Sequence, residues 1–205
     1  MRLFWSTRSP FVRKVLVVAH EVGVADRIEL RRTVVGATAP DAEVIAMNPL
    51  GKIPTLVTDD GEGLYDSRVI AEYLAGFAPR LELFPTTPAA RWTALRQQAL
   101  GDGFMEVLVH WRAERGRPDG ARSERHVQAL ARKFGQALDG IDAEAAALAS
   151  GALSIGQISI ACALDYADFR YPEQDWRTGR PVLAKWMAGF GQRADMRATE
   201  HSDLY

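Results

Sequence analysis

Three short segments near the start of this 205-residue chain gather the residue types that can do chemistry. They are Ser9-Pro10-Phe11-Val12-Arg13-Lys14, Asn48-Pro49-Leu50-Gly51-Lys52-Ile53-Pro54-Thr55-Leu56 and Tyr65-Asp66-Ser67. A hydroxyl directly ahead of a proline that opens a helix lies at the positive end of the helix dipole, where it can donate a hydrogen bond to an anion. Asp66-Ser67 at the start of another helix offers a backbone N–H and a hydroxyl to a carboxylate, and a carboxylate to an ammonium group. Ile53-Pro54 offers the main chain of a strand edge. The same residues also serve as helix caps and an edge-strand proline, so residue type alone leaves both uses open.

The elements that must position these groups read as follows. Leu3-Phe4-Trp5 forms a short buried strand. Ser9 caps a helix with apolar residues at Phe11, Val12, Val15, Leu16 and Ala19, stopped near Gly23. A strand over 28–35, a short helix over 41–47 and a strand over 53–58 follow. The Asp59-Asp60-Gly61 turn returns a strand over 63–65, and Asp66 or Ser67 caps a helix carrying Val69, Ile70, Tyr73, Leu74 and Phe77. The order β-α-β-α-β-β-α over residues 1–78 is that of a compact mixed-sheet domain. Pro79, Pro85 and Pro88 punctuate a linker over 79–87. Residues 88–205 read as all helical: 88–115, bent at Gly101-Asp102-Gly103, 122–148, an apolar core helix to Phe169 opened by a Ser154-Gln157 capping box, and 181–193. The tail from Ala194 shows no periodicity.

Bulk properties exclude several classes. A formal net charge of −1 supplies no field for a nucleic-acid backbone. One cysteine, Cys162, set among apolar neighbours, allows neither an intrachain disulfide nor a CxxC redox pair. No apolar run approaches a membrane span and no signal-peptide pattern opens the chain, so a reducing cytoplasm is expected. His20, His110, His126 and His201 lack metal-site spacing, so no metal is expected. There is no phosphate-binding glycine pattern, and Ser9 lacks the Gly-x-Ser-x-Gly setting of a hydrolase nucleophile.

The three segments, in this order and spacing, resemble the glutathione-holding motifs of the cytosolic glutathione transferases, and the Ser-Pro-Phe start is most similar to bacterial members. The resemblance covers essentially the whole chain. It implies a thioredoxin-like N-terminal domain followed by an all-α C-terminal domain, a homodimer, no cofactor beyond glutathione as co-substrate, and a detoxifying transferase (EC 2.5.1.18 type). Such an enzyme conjugates glutathione to a small hydrophobic electrophile. Ser9 would stabilise the glutathione thiolate, with Thr7 as the second candidate, since other members use a tyrosine where Trp5 stands or a cysteine where Ser9 stands. Lowering a thiol pKa from about 8.5 to about 6.5 requires about 2.7 kcal/mol, within reach of one charge-assisted hydrogen bond of about 1.5–3 kcal/mol and a helix dipole.

The resemblance also implies a cis Ile53-Pro54 bond, with the Ile53 main chain pairing to the cysteinyl part of glutathione. Lys52 and Val35 would lie at the glycyl end. Asp66 and Ser67 would hold the γ-glutamyl end, with Asp102 reaching its ammonium across a dimer interface. Phe11, Phe104, Val107, Leu108, Trp111, Tyr166 and Phe169 would wall the second substrate between the domains. Dimerisation is expected along the Arg68/Glu72 side of its helix. Gln157 stands where the family usually has Asp. The alternatives are a non-enzymatic glutathione-binding module of the same fold, and another glutathione-dependent enzyme: a dehalogenase, isomerase or peroxidase. A thiol-disulfide oxidoreductase is disfavoured for want of a catalytic cysteine.

Overall fold

Strand β1 (Arg2–Trp5) is central to a four-stranded sheet of order β2-β1-β3-β4 in the computed structural model, which describes residues 1–36, 39 and 41–203. β2 (Glu29–Arg32) runs parallel to β1, and β3 (Thr55–Val57) and β4 (Gly63–Leu64) continue antiparallel. The parallel pair needs a crossover, supplied by α1 (Pro10–Glu21), and the antiparallel pair needs only the turn at 58–62. α2 (Ala42–Met47) and α3 (Ser67–Ala75) complete the expected β-α-β-α-β-β-α order. The strands over 28–35 and 53–58 are shorter than the sequence reading, because pairing begins only at Glu29 and, after Pro54, at Thr55.

Alternation along β1 sorts its side chains to two faces. Leu3 and its register partner Leu56 are fully buried, as are Val15, Val18, Ile70 and Leu74 on α1 and α3, which pack together. Phe4 points the other way and joins Val57 and Val44 of α2 in a second cluster, with Val35, Met47 and Ile53 packed against it.

The chain divides into two compact units, Met1–Pro88 with Ala194–Tyr205, and Ala89–Arg193. The second unit contains α4 (Pro88–Arg115), α5 (Glu124–Asp142), α6 (Ala145–Ser150), α7 (Ile155–Arg170) and α8 (Pro181–Phe190). α7 is buried over nearly its whole length, as its apolar sequence demands. Gln157 holds its start: Oε1 accepts from the Ser154 N–H at 3.1 Å while Nε2 donates to Leu148 O at 2.9 Å and Gly151 O at 3.2 Å. A carboxylate could make the first bond but neither of the others.

Two local expectations are corrected. Residues 122–148 form two helices, because the chain tightens into a turn at Ala143–Glu144. There the Glu144 carboxylate accepts hydrogen bonds from Arg96 and from Gln97 Nε2 (2.9 Å) on α4, which hold its pKa below the usual carboxylate range. The unperiodic tail contains a short helix, α9 (Ala194–Ala198), packed on α1. α4 is continuous through Gly101-Asp102-Gly103. Gly101 permits a close approach to α7: a Cβ there would lie 2.5 Å from the carbonyl carbon of Ser159.

The two glycines therefore separate in their effects. Gly101→Ala is expected to cost about 2–4 kcal/mol by overpacking, despite alanine's helix preference. Gly103→Ala, with nothing within 4 Å of the new Cβ, is expected to add about 0.5–1 kcal/mol. Urea unfolding of both variants checks the pair; equal effects would contradict the close approach.

Candidate functional site

The strand registers bring all three motifs to one end of the sheet. Phe4 pairs with Thr55 and Leu56 with Leu64, so the residues following β1 lie beside Ile53-Pro54, which lies in turn beside Asp66. On the other side Thr33 N–H donates to Trp5 O at 2.9 Å, carrying β2 past the same end toward Val35. Segments far apart in sequence thus converge through antiparallel and parallel pairing alone.

Ser9 is the N-cap of α1, with extended backbone (φ −91°, ψ 119°) and an Oγ that accepts from Val12 N–H at 3.3 Å. Accepting that bond uses a lone pair and leaves the hydroxyl proton available. Cap and anion donor are therefore compatible roles for one oxygen. Thr7 differs: its hydroxyl donates to Ser202 O at 2.8 Å, which commits its proton. Of the two candidates, Ser9 alone has no internal acceptor for its hydroxyl proton among the described residues.

The Asn48–Thr55 loop is organised by one buried amide. Asn48, 1% exposed, donates from Nδ2 to Lys52 O (3.1 Å) and Thr55 Oγ1 (2.9 Å), and its Oδ1 accepts from Leu50 N–H (3.0 Å). Thr55 Oγ1 also donates to Lys52 O at 2.8 Å. These bonds turn the chain so that Ile53 packs on the Phe4–Val44–Val57 cluster and the Ile53-Pro54 peptide is cis. The Ile53 N–H and C=O make no hydrogen bond among the described residues. The exposed Lys52 ammonium has no partner among them either. Val35 is half-buried against the same cluster as Ile53. Sequence reading found the motif but missed Asn48, whose role depends on where its amide points.

Asp66 is the N-cap of α3, its Oδ1 accepting from Arg68 N–H at 2.9 Å, and it is exposed. The Tyr65-Asp66 peptide is also cis. Ser67 is 3% exposed, yet its hydroxyl and N–H make no hydrogen bond among the described residues. Two donors at a helix start form a seat for a carboxylate.

The remaining predicted site residues lie on α1 and α4. Phe11 is half-buried on α1. Asp102, on α4, is 1% exposed. Phe104 and Trp111 are core residues of that unit: Phe104 packs on Phe134 (ring centroids 5.4 Å apart) and Trp111 stacks on Tyr171 at 4.6 Å. Tyr171 donates its hydroxyl to Leu108 O at 2.6 Å, and burial pushes its pKa up. Among the described residues no cluster of His, Cys, Asp and Glu could hold a metal, and no helix is long and apolar enough to cross a membrane.

Known families bear on what this site is. The family model described as glutathione S-transferase, N-terminal domain, matches residues 8–76, and that for the C-terminal domain matches residues 124–189. A full-length relative agrees: the uncharacterized GST-like protein YibF of Escherichia coli (strain K12) is 31% identical over 202 residues, covering 98% of each protein. The chain belongs to the glutathione S-transferase family. Solved members of that family share its fold. A glutathione transferase family member from Pseudomonas fluorescens Pf-5, with bound glutathione, is 42% identical over 98% of both chains, with a TM-score of 0.94. A glutathione S-transferase from Methylobacillus flagellatus KT, with glutathione bound, is 34% identical over 98% of this chain and 99% of that one, with a TM-score of 0.87.

In this family member, removing the Asn48 amide should disrupt the motif loop from within. Asn48→Ala is expected to lower stability by about 2 kcal/mol, because the Leu50 N–H is left unpaired. Asn48→Asp should cost at least as much, since a carboxylate cannot donate to Lys52 O. Denaturant unfolding reads both. A neutral Asn48→Asp would contradict the donor role.

Proposed function

We propose that this protein is a glutathione transferase that binds glutathione at the shared end of its sheet, stabilises the thiolate with Ser9 and conjugates it to a small hydrophobic electrophile. The observation that carries this reading is the set of unspent polar groups at that end: the Ser9 hydroxyl, the Ile53 main chain, the Ser67 hydroxyl and N–H, and the Lys52 ammonium. Their chemistry complements a tripeptide with a thiol at its centre and a carboxylate at each end. Ser67 takes the γ-glutamyl carboxylate and Asp66 its ammonium. The Ile53 N–H and C=O pair with the cysteinyl unit as a one-residue strand addition, and Lys52 and Val35 meet the glycyl end. The bound glutathione in the two relatives supports the assignment.

The chemical step is attack of the thiolate on an electrophilic carbon. A C–S bond forms, and with an aryl halide the halide leaves with its electron pair. Ser9 donates to the sulfur before the step, raising the thiolate fraction at neutral pH. Phe11, two residues beyond Ser9, borders the electrophile. A homodimer covering Val69 and Tyr73 on the exposed face of α3 and a cytoplasmic setting that keeps glutathione reduced complete the proposal.

Calorimetric binding of glutathione and turnover of a generic aryl halide test the reading. Ser67→Ala should weaken glutathione binding about tenfold. Ser9→Ala should leave binding nearly intact and cut turnover about 10- to 100-fold by raising the pKa of the bound thiol. Absence of glutathione binding by the wild type would refute the proposal, and binding without turnover across an electrophile panel would reduce it to a binding module.

A further inference from the structure

The loop that presents Ser9 is short and weakly held by itself. Between β1 and α1 the chain makes only a tight turn, with Ser9 N–H donating to Ser6 O at 3.2 Å and Arg8 N–H to Ser6 Oγ at 3.3 Å. Its firmest contacts come from the far end of the sequence. α9 docks on α1, where the buried Arg13 donates from Nη2 to Met196 O at 3.0 Å. The chain then runs along the loop. His201 Nδ1 lies 2.9 Å from Thr7 O, Thr7 Oγ1 donates to Ser202 O at 2.8 Å, and Arg8 Nε pairs with Asp203 Oδ1 at 3.0 Å while its Nη2 donates to Asp203 O at 3.2 Å. Three consecutive residues, 201–203, thus engage the two residues immediately before Ser9, and among the described residues the Ser9 side chain itself bonds only to Val12 N–H of the helix it caps.

A carbonyl can only accept, so the His201 Nδ1 facing Thr7 O carries a proton whatever the charge on the ring. The contact therefore fixes the Thr7 peptide through a directional bond, and the Ser202 and Asp203 contacts fix the adjoining side chains. A hydrogen bond to sulfur weakens steeply as its geometry departs from the optimum. A loop free to shift would cost thiolate stabilisation while leaving the glutathione-holding groups of Ile53 and Ser67 on their own segments. We propose that the C-terminal strap His201-Ser202-Asp203 positions the Ser9 hydroxyl, with His201 the principal positioning residue, so that thiolate formation rather than glutathione affinity depends on the end of the chain. The inference rests on the reading that Ser9 faces the glutathione thiol.

The test titrates the glutathione thiol bound to the full-length protein, by the ultraviolet absorbance of the thiolate, beside calorimetric affinity for glutathione. Wild type is compared with Ser9→Ala, His201→Ala, His201→Asn, Asp203→Ala and the Ser9→Ala/His201→Ala double variant. His201→Ala should lower the thiolate fraction at neutral pH about five- to tenfold with unchanged glutathione affinity. His201→Asn, whose amide N–H can stand where Nδ1–H stands, should restore most of it. Asp203→Ala, which alters an exposed pair and leaves the core alone, should act in the same direction more weakly. The double variant should titrate like Ser9→Ala alone, because the strap acts through Ser9.

A normal thiol titration in His201→Ala and Asp203→Ala overturns the proposal. So does a loss that falls on affinity, or one that adds to that of Ser9→Ala. If Ser9→Ala itself leaves the thiol unchanged, the Ser9 reading fails and the strap's proposed role fails with it. A shift with Ser9→Ala but not with the strap variants rejects the strap alone.

Discussion

The site depends first on the register of β3 between its two neighbours. Phe4 opposite Thr55 and Leu56 opposite Leu64 put the ends of β1, β3 and β4 side by side, and they send Leu3 and Leu56 to one face and Phe4 and Val57 to the other. A slip of one residue would expose Leu56 and displace Ile53-Pro54 from the Ser6–Ser9 loop together. Burial of these side chains therefore enforces the geometry of the site. The candidate groups are main-chain atoms and cap residues at the ends of elements, where hydrogen bonds are necessarily left over.

Within that frame the three motifs have different physical jobs. Asn48 spends both donors and one acceptor bond of its buried amide on shaping its loop. Among the described residues Ser67 finds no partner at its helix start, and Ser9 combines the cap of α1 with a hydroxyl proton that has no acceptor. Thr7, its rival by sequence, is occupied by the strap. The α4 aromatics Phe104 and Trp111 pack in the helical unit against Phe134 and Tyr171.

Much of the fold was legible because local signals agreed with tertiary needs. Ser9-Pro10 reads as a helix start, Asp59-Asp60-Gly61 as a turn, and the apolar run after Ser154 as a buried helix, and each is observed. The readings that failed concern long-range partners. The turn at Ala143–Glu144 accompanies an ion pair with Arg96, 48 residues away, within a sequence whose apolar spacing suits one continuous helix. The use of Gly101 in close packing is invisible without the opposing backbone of Ser159. The strap at 201–203 has no periodicity, and its partners Thr7 and Arg8 lie about 195 residues earlier in the chain. The family was legible in motif spacing, whereas the different engagement of the Ser9 and Thr7 hydroxyls was visible only in the structure.

The most direct test of the account is a crystal structure of this protein with glutathione bound. The account predicts the sulfur within hydrogen-bonding distance of Ser9 Oγ, the cysteinyl backbone paired with Ile53 N–H and C=O, and the γ-glutamyl carboxylate on the Ser67 hydroxyl and N–H. A sulfur directed away from Ser9, or a glutathione seated anywhere other than this end of the sheet, would contradict it.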